Sequence, residues 1–410
     1  MKVLLVNAYV KSGGASLAAR RLCTALNGAG TDARLLVQNT EGIDDPLLLL
    51  TNDRWARWRP LLDAAPVLPW RKRRSPHWGN AWLNNSTARE AICDFSPAIT
   101  HLHWVNHGML SIGDVSHLQG PVVWTLHDEW TFTGGCHYRP HGCRGFRERC
   151  GRCPELNSRR EHDLSRWNWK RKKGLWEKAN FMVVTPSRWL AEIAQSASLL
   201  AGRRIEVIPN AVDTSLFHPM GRAMSRALLG LRPEVPLFLF GAHGALTDWR
   251  KGMDLWRRVL PVVAERFPGA EAMLAGTPVG TLGEAPLPVH ELGILTAERM
   301  ALAMATADAV VVPSRMENLP NMVAESLACG TPVAAFAVGG IPEMIQPGET
   351  GFLAQPHDPM DLADGVCQLL ARGETMREAC ISFAKNAYSP EAVVRRHLDL
   401  YGSLMGESRS

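Results

Sequence analysis

Two glutamates, Glu317 and Glu325, stand eight positions apart in MENLPNMVAE, between the strand-like run AVVVPS and the stretch LACGTPVAAFA. A helix is expected from near Pro320 to Gly330, with Pro332 blocking extension. Glu317 then lies in the preceding loop and Glu325 inside the helix. Eight helical residues rise about 12 Å. That span exceeds the roughly 5–10 Å between the carboxyls of an acid–base pair. It matches the length of a sugar–diphosphate–nucleoside. One carboxylate can accept hydrogen bonds from a hexose and the other from a ribose. Between them Asn318, Leu319 and Pro320 lead into the helix N-terminus, where backbone amides favour a diphosphate. The competing reading is acidic charge favoured by the helix dipole; it accounts for Glu317 but poorly for Glu325.

Three other groups can do chemistry. In SGGAS (12–16), Gly13 and Gly14 end a first strand and open a helix, a place suited to a phosphate or to nothing more than a tight turn. The dinucleotide fingerprint G-x-G-x-x-G is missing there, which disfavours a nicotinamide or flavin enzyme. Arg250 and Lys251, in GAHGALTDWRKGMDLW, sit in the loop after a strand and before a helix. Ligands of open α/β sheets lie at the carboxyl ends of strands, so these cations are placed for a phosphate. Cys136, Cys143, Cys150 and Cys153 form C-x6-C-x6-C-x2-C. The last pair has metal-ligand spacing, so a structural zinc stands beside free thiols or a disulfide. His137 and His141 are spare ligands.

The elements that must position these groups alternate. KVLLVNA, RLLVQ, ITHLHWV, VVWTLHD and FMVVTPS are strand-sized, with helical patterns among them, such as ASLAARRLCTALNGAG. After the connector IEVIPNAVDTSLFHP, a second series runs PLFLFGA, AEAMLAG, VHELGI, ADAVVVPS and TPVAAFA. Alternation of this kind means β-α-β units and parallel sheets. We expect an α/β chain of two doubly wound domains, 1–205 and 206–385, with a C-terminal helix over 386–410 returning to the first. Asp358 caps a helix with Pro359 at its first position, expected to run to about Ala371 with Gly373 beyond.

At 410 residues and a formal charge of +5, the chain suits two domains and lacks a nucleic-acid binder's excess of charge. No run of 18 apolar residues exists. The start, MKVLLVNAYVKSGG, reads as a strand rather than a secretory signal, so a cytoplasmic location is the default. Residues 51–82 break the alternation with five tryptophans and the run Arg71-Lys72-Arg73-Arg74. RWNWKRKKGLWEK (166–178) is similar in character. Cations beside indoles suit peripheral contact with an anionic membrane; the alternative is an irregular insertion and a solvated helix face.

The stretch SRMENLPNMVAESLACGTPVAAFAVGGIPEMIQPGETGFL resembles the donor-site signature of retaining, metal-independent glycosyltransferases of family 4, which have the GT-B fold of two Rossmann-like domains facing across a cleft. VIPNAVDTSLFHP and RKGMDL resemble two further blocks of that family. VVWTLHDEWTFTGGCHYRPHGCRGFRERCGRCPEL resembles the branch containing colanic-acid and related exopolysaccharide transferases.

The resemblance implies that Glu317 faces the donor hexose, that Glu325 holds the ribose and that Lys251 with Arg250 neutralises the departing diphosphate. It implies that His127, in TLHD, lies by the sugar and the acceptor, with His103 facing the same cleft if HLHW is a strand. Gly14 would bring amides to the phosphates. Many relatives carry an arginine just after the GAHG strand, where this chain has Ala242 and His243; either Lys251 and Arg250 then carry more of the phosphate, or His243 shares it. The implied activity moves a hexose from a nucleotide-diphosphate sugar to an oligosaccharide or lipid-linked acceptor. No catalytic cofactor is required, and the chain lacks the Asp-x-Asp that metal-dependent sugar transferases use. Rival readings are a nucleotide-sugar epimerase or phosphorylase of the same fold, and a zinc-bearing module that binds nucleic acid.

Overall fold

The structure is a computed structural model describing residues 1–51, 53–70, 77–241, 244, 246–280 and 282–407. The basic run 71–74 and His243 lie outside the described residues. Two compact units form: Met1–Pro209 with Val394–Ser410, and Asn210–Val393.

The first unit is built on a parallel sheet of β1 (Lys2–Val6), β2 (Asp32–Val37), β3 (Leu48–Leu50), β4 (Ile99–Leu102), β5 (Val122–Thr125), β6 (Phe181–Thr185) and β7 (Ile205–Val207), in the order β3-β2-β1-β4-β5-β6-β7. Its central strands are apolar on both faces: Val3 to Val6 of β1 are wholly buried, as a sheet covered by helices requires. Helix Gly14–Gly28 shows how the covering is coded. Ala18, Ala19, Leu22, Cys23 and Leu26 form its buried stripe at 3.6-residue spacing.

The second unit carries β8 (Leu237–Gly241), β9 (Glu271–Ala275), β10 (Val289–Gly293), β11 (Ala309–Val312), β12 (Val333–Phe336) and β13 (Gly351–Ala354) in the order β10-β9-β8-β11-β12-β13, all parallel. In each sheet the order reverses beside the first strand of the unit, β1 or β8, where doubly wound folds bind ligands.

Three sequence expectations change. The helix beginning at Pro359 does not stop near Ala371 but runs to Tyr388. One glycine inside a helix costs only about 1 kcal/mol. Beyond Gly373, Met376, Cys380, Ala384 and Tyr388 repeat every four residues and are all buried, which outweighs that cost. The helix over Leu164–Trp176 is solvated on one side only, where Trp167, Lys170 and Lys173 are exposed. Lys172 is wholly buried, its Nζ 3.6 Å from the Trp130 ring centroid and donating to the Thr133 carbonyl at 3.0 Å. Residues 59–70, read as irregular, form helix Arg59–Ala64 and a 3-10 turn through Trp70.

The final helix, Pro390–Glu407, leaves the second unit and joins the first. There the Tyr401 hydroxyl and His101 Nδ1 share a 2.6 Å hydrogen bond, with both residues fully buried.

Candidate active site

The second unit gathers its acidic and basic candidates at the carboxyl ends of β8 and β11. After β8, Asp248 caps the 3-10 turn Trp249–Lys251, and Gly252 follows with φ +70°. A Cβ at Gly252 would stand 1.9 Å from the Pro313 carbonyl oxygen, so only glycine lets this turn lie against the end of β11. Lys251 Nζ then donates to Glu317 Oε1 at 2.6 Å, and Ser314 Oγ donates to the same oxygen at 3.1 Å. Behind Glu317, Gly339 takes φ +58°, and a Cβ there would meet the Glu317 carbonyl oxygen at 1.7 Å. The Gly340 amide reaches that carbonyl at 3.3 Å.

Arg250 behaves differently from Lys251. Its guanidinium is buried and bound to Asp248, with Nε on Oδ1 at 3.0 Å and Nη2 on Oδ2 at 2.5 Å. Its charge is offset within its own turn, which leaves Lys251 as the cation brought to Glu317. Pro320 is the N-cap of helix Asn321–Ala328, and Asn318 and Leu319 lead into it. Glu325 lies on this helix, 8% exposed. Burial and then the Glu325 charge push the neighbouring Cys329 thiol up.

In the first unit Gly13 is the N-cap of helix Gly14–Gly28, with φ +89°. The amides just before it are occupied: Glu41 Oε2 accepts from Val10, Lys11 and Ser12 at 2.9, 2.7 and 3.0 Å. Burial raises the Glu41 pKa, but the Ser12 hydroxyl and these amides outweigh it and hold the carboxyl below its ordinary value. This clamp joins residues about thirty positions apart and carries no sequence signal.

His127 follows β5 in a buried histidine cluster. His103 Nδ1 and His127 Nε2 share a 2.9 Å bond, and the His101 and His103 ring centroids are 4.5 Å apart. Burial pushes His127 down to about 4, against the opposing pull of Asp128. Asp128 is held by His137 Nδ1 at 2.7 Å and Trp104 Nε1 at 3.1 Å. His137 is therefore a carboxylate partner in this arrangement, and His141 is exposed.

Cys136, Cys143, Cys150 and Cys153 are free thiols lining one cavity. Among the described residues, no group of three or more His, Cys, Asp or Glu is drawn together so as to hold a metal ion.

Residues 12–216 match the family described as Glycosyltransferase Family 4, and residues 238–372 match Glycosyl transferases group 1. Among solved structures, the chain resembles a sucrose-phosphate synthase from Thermosynechococcus elongatus, with a TM-score of 0.68 and 18% identity over 99% of each chain. It also resembles HepE of Anabaena in complex with UDP and glucose, with a TM-score of 0.65 and 16% identity over 98% of this chain and 100% of that one. The two parallel-sheet α/β domains have the GT-B fold, with a C-terminal helix. The chain belongs to glycosyltransferase family 4. It is 32% identical over 221 residues to a D-inositol 3-phosphate glycosyltransferase of Mycobacteroides abscessus, covering 50% of this chain and 48% of that protein. The chain spans about half the length of the curated relatives it matches.

Proposed function

We propose that the chain is a retaining hexosyltransferase, moving a hexose from a nucleoside-diphosphate sugar to an oligosaccharide acceptor carried on a lipid, in the building of a cell-surface polysaccharide. The observation that carries this reading is the Lys251–Glu317 contact at the carboxyl end of the second sheet. Breaking a glycosyl–phosphate bond builds negative charge on the leaving diphosphate and positive charge on the anomeric carbon. Lys251 and the amides at the start of helix Asn321–Ala328 suit the first, and the Glu317 carboxylate suits the second. Glu325 takes the ribose hydroxyls, and His127, Gly13 and Gly14 serve from the first unit. UDP and glucose in the HepE structure support the donor class. Family membership supports sugar transfer; the colanic-acid-like stretch around Cys136–Cys153 supports the exopolysaccharide branch.

For the acceptor side, Trp55, Trp58 and Trp82 are exposed, with the Arg54 and Arg57 guanidiniums over the first two indoles. Such pairs suit an anionic membrane surface, the place of a lipid-linked acceptor. No described helix is long and apolar enough to cross a membrane.

The test is a thermal-shift and hydrolysis screen against a panel of nucleotide sugars. One or a few donors should stabilise the protein and release nucleoside diphosphate, and Glu325→Ala should abolish the stabilisation. Stabilisation by none, with salt-sensitive binding of RNA or DNA instead, would transfer the case to the nucleic-acid module. Interconversion of the sugar without transfer would mark an epimerase.

A further inference from the structure

Between the 3-10 turn Trp130–Phe132 and the helix Leu164–Trp176, the described backbone holds a single four-residue helix, Gly145–Glu148. Its apolar support is divided: Phe146 and Cys150 join the main core, while Val67, Trp78, Leu156, Cys136 and Cys153 make a small separate cluster. A cross-link would further restrict a loop-rich segment of this kind. Its four cysteines are arranged for one. Cys136, Cys150 and Cys153 are more than nine-tenths buried, yet they come from points up to seventeen positions apart, and with Cys143 they line the same cavity.

Backbone N–H donors meet two of the sulfurs, although burial pushes the Cys136, Cys150 and Cys153 thiols up. The Gly134 amide donates to Cys150 Sγ at 3.2 Å. The amides of Glu155 and Leu156 both donate to the Cys153 sulfur. A neutral thiol is a weak acceptor, whereas a metal-bound thiolate draws such N–H donors. The Cys150–Cys153 turn holds Arg152 at φ +48°, a tight backbone that brings two sulfurs to one side. Positive charge is close: Arg139 lines the cavity, and Lys172 lies within electrostatic reach of Cys150 and Cys136. Four thiolates about a divalent ion carry two net negative charges; a nearby anion of this kind favours the charged form of Lys172, which burial otherwise opposes.

We propose that Cys136, Cys143, Cys150 and Cys153 bind one zinc ion, which fixes the 133–163 segment beside the His127 loop. The four cysteines line the cavity without closing on a common point, so binding of the ion requires their side chains to turn inward. Each thiol gives its proton to solvent as its S–Zn bond forms. A tetrahedral shell of four thiolates leaves no position for substrate, so the ion is structural. The site is independent of which sugar is transferred.

The experiment is metal analysis of the full chain, purified under reducing conditions from zinc-supplemented growth. About one zinc per chain is expected, and cobalt exchanged into the protein should show the thiolate charge-transfer and visible bands of a tetrahedral site. Cys153→Ser should lose the zinc, and Cys93→Ser, at an exposed cysteine elsewhere, should keep it. Should Cys153→Ser fail to fold, stepwise mercurial titration of the unaltered protein answers the same question: zinc should leave as four thiols are modified. A protein without zinc and without cobalt bands overturns the proposal, as do disulfides among these cysteines in protein whose thiols were blocked at lysis.

Discussion

Lys251 and Glu317 are 66 positions apart and meet through a 2.6 Å hydrogen bond from Nζ to Oε1. The lysine is the more exposed partner, with 26% of its side chain accessible against 12% for the glutamate. A cation reachable from solvent and steadied by a half-buried carboxylate is arranged to receive an anion. Lys251→Met should lower nucleoside-diphosphate release about 100-fold or more, the scale of losing one preorganised charge at a transition state. Glu317→Gln should do similarly while leaving nucleotide binding within about threefold. Coupled-assay kinetics and calorimetry read the two effects separately. Retained activity in Lys251→Met would remove this residue from the chemistry.

Gly339 supports that pair from behind. Gly339→Ala must shift the Glu317 backbone, because its Cβ would overlap the Glu317 carbonyl oxygen, and a left-handed φ adds strain. The variant should lose turnover about as severely as Glu317→Gln. Gly269→Ala, also at positive φ but in open space, should cost stability alone, by about 1 kcal/mol.

The histidine cluster sets a pH dependence. Burial pushes both His127 and His107 down to about 4. Between that value and the ordinary 6.5 the unfolded chain binds protons that the folded chain refuses. Stability therefore rises with pH across this window and is lost as pH falls from about 6.5 towards 4. Urea midpoints at pH 7 and pH 5 should differ less in His107→Gln than in the unaltered protein. In the proposed reaction His127 would act as a neutral imidazole, so its own titration should put no step in the rate near pH 6.5.

Tyr401 and His101 join the last helix to the first sheet. Tyr401→Phe keeps the ring and leaves His101 Nδ1 without this buried partner. The loss should be about 1–3 kcal/mol, measured by urea denaturation. Tyr401→Ala adds a cavity and should cost about 3–5 kcal/mol.

Much of this arrangement was legible in the amino-acid order. Long apolar runs such as FMVVT and LFLFG mark buried strands, and their alternation with helical stripes gives parallel sheets. The three-residue β3 carries too little pattern to be read, and β13, GFLA, opens on a glycine that reads locally as a turn. Gly373 misled because a local breaker was weighed without the buried stripe beyond it. At the site, Glu317 and Lys251 were named separately, but their meeting depends on close backbone approaches at Gly252 and Gly339. The tether between Arg250 and Asp248 was missed, although aspartate's preference for capping such a turn offered a signal for it. The clamp of Glu41 on the Val10–Ser12 amides was not readable.

The chain crosses between its units twice, at Pro209 and again at Val393, so the residues that finish the first unit are synthesised after the whole of the second. Until Tyr401 has been synthesised, His101 has no phenol to meet, however long the sheet around it has been assembled. The half made first is thus sealed last, after the other half already has every strand it needs.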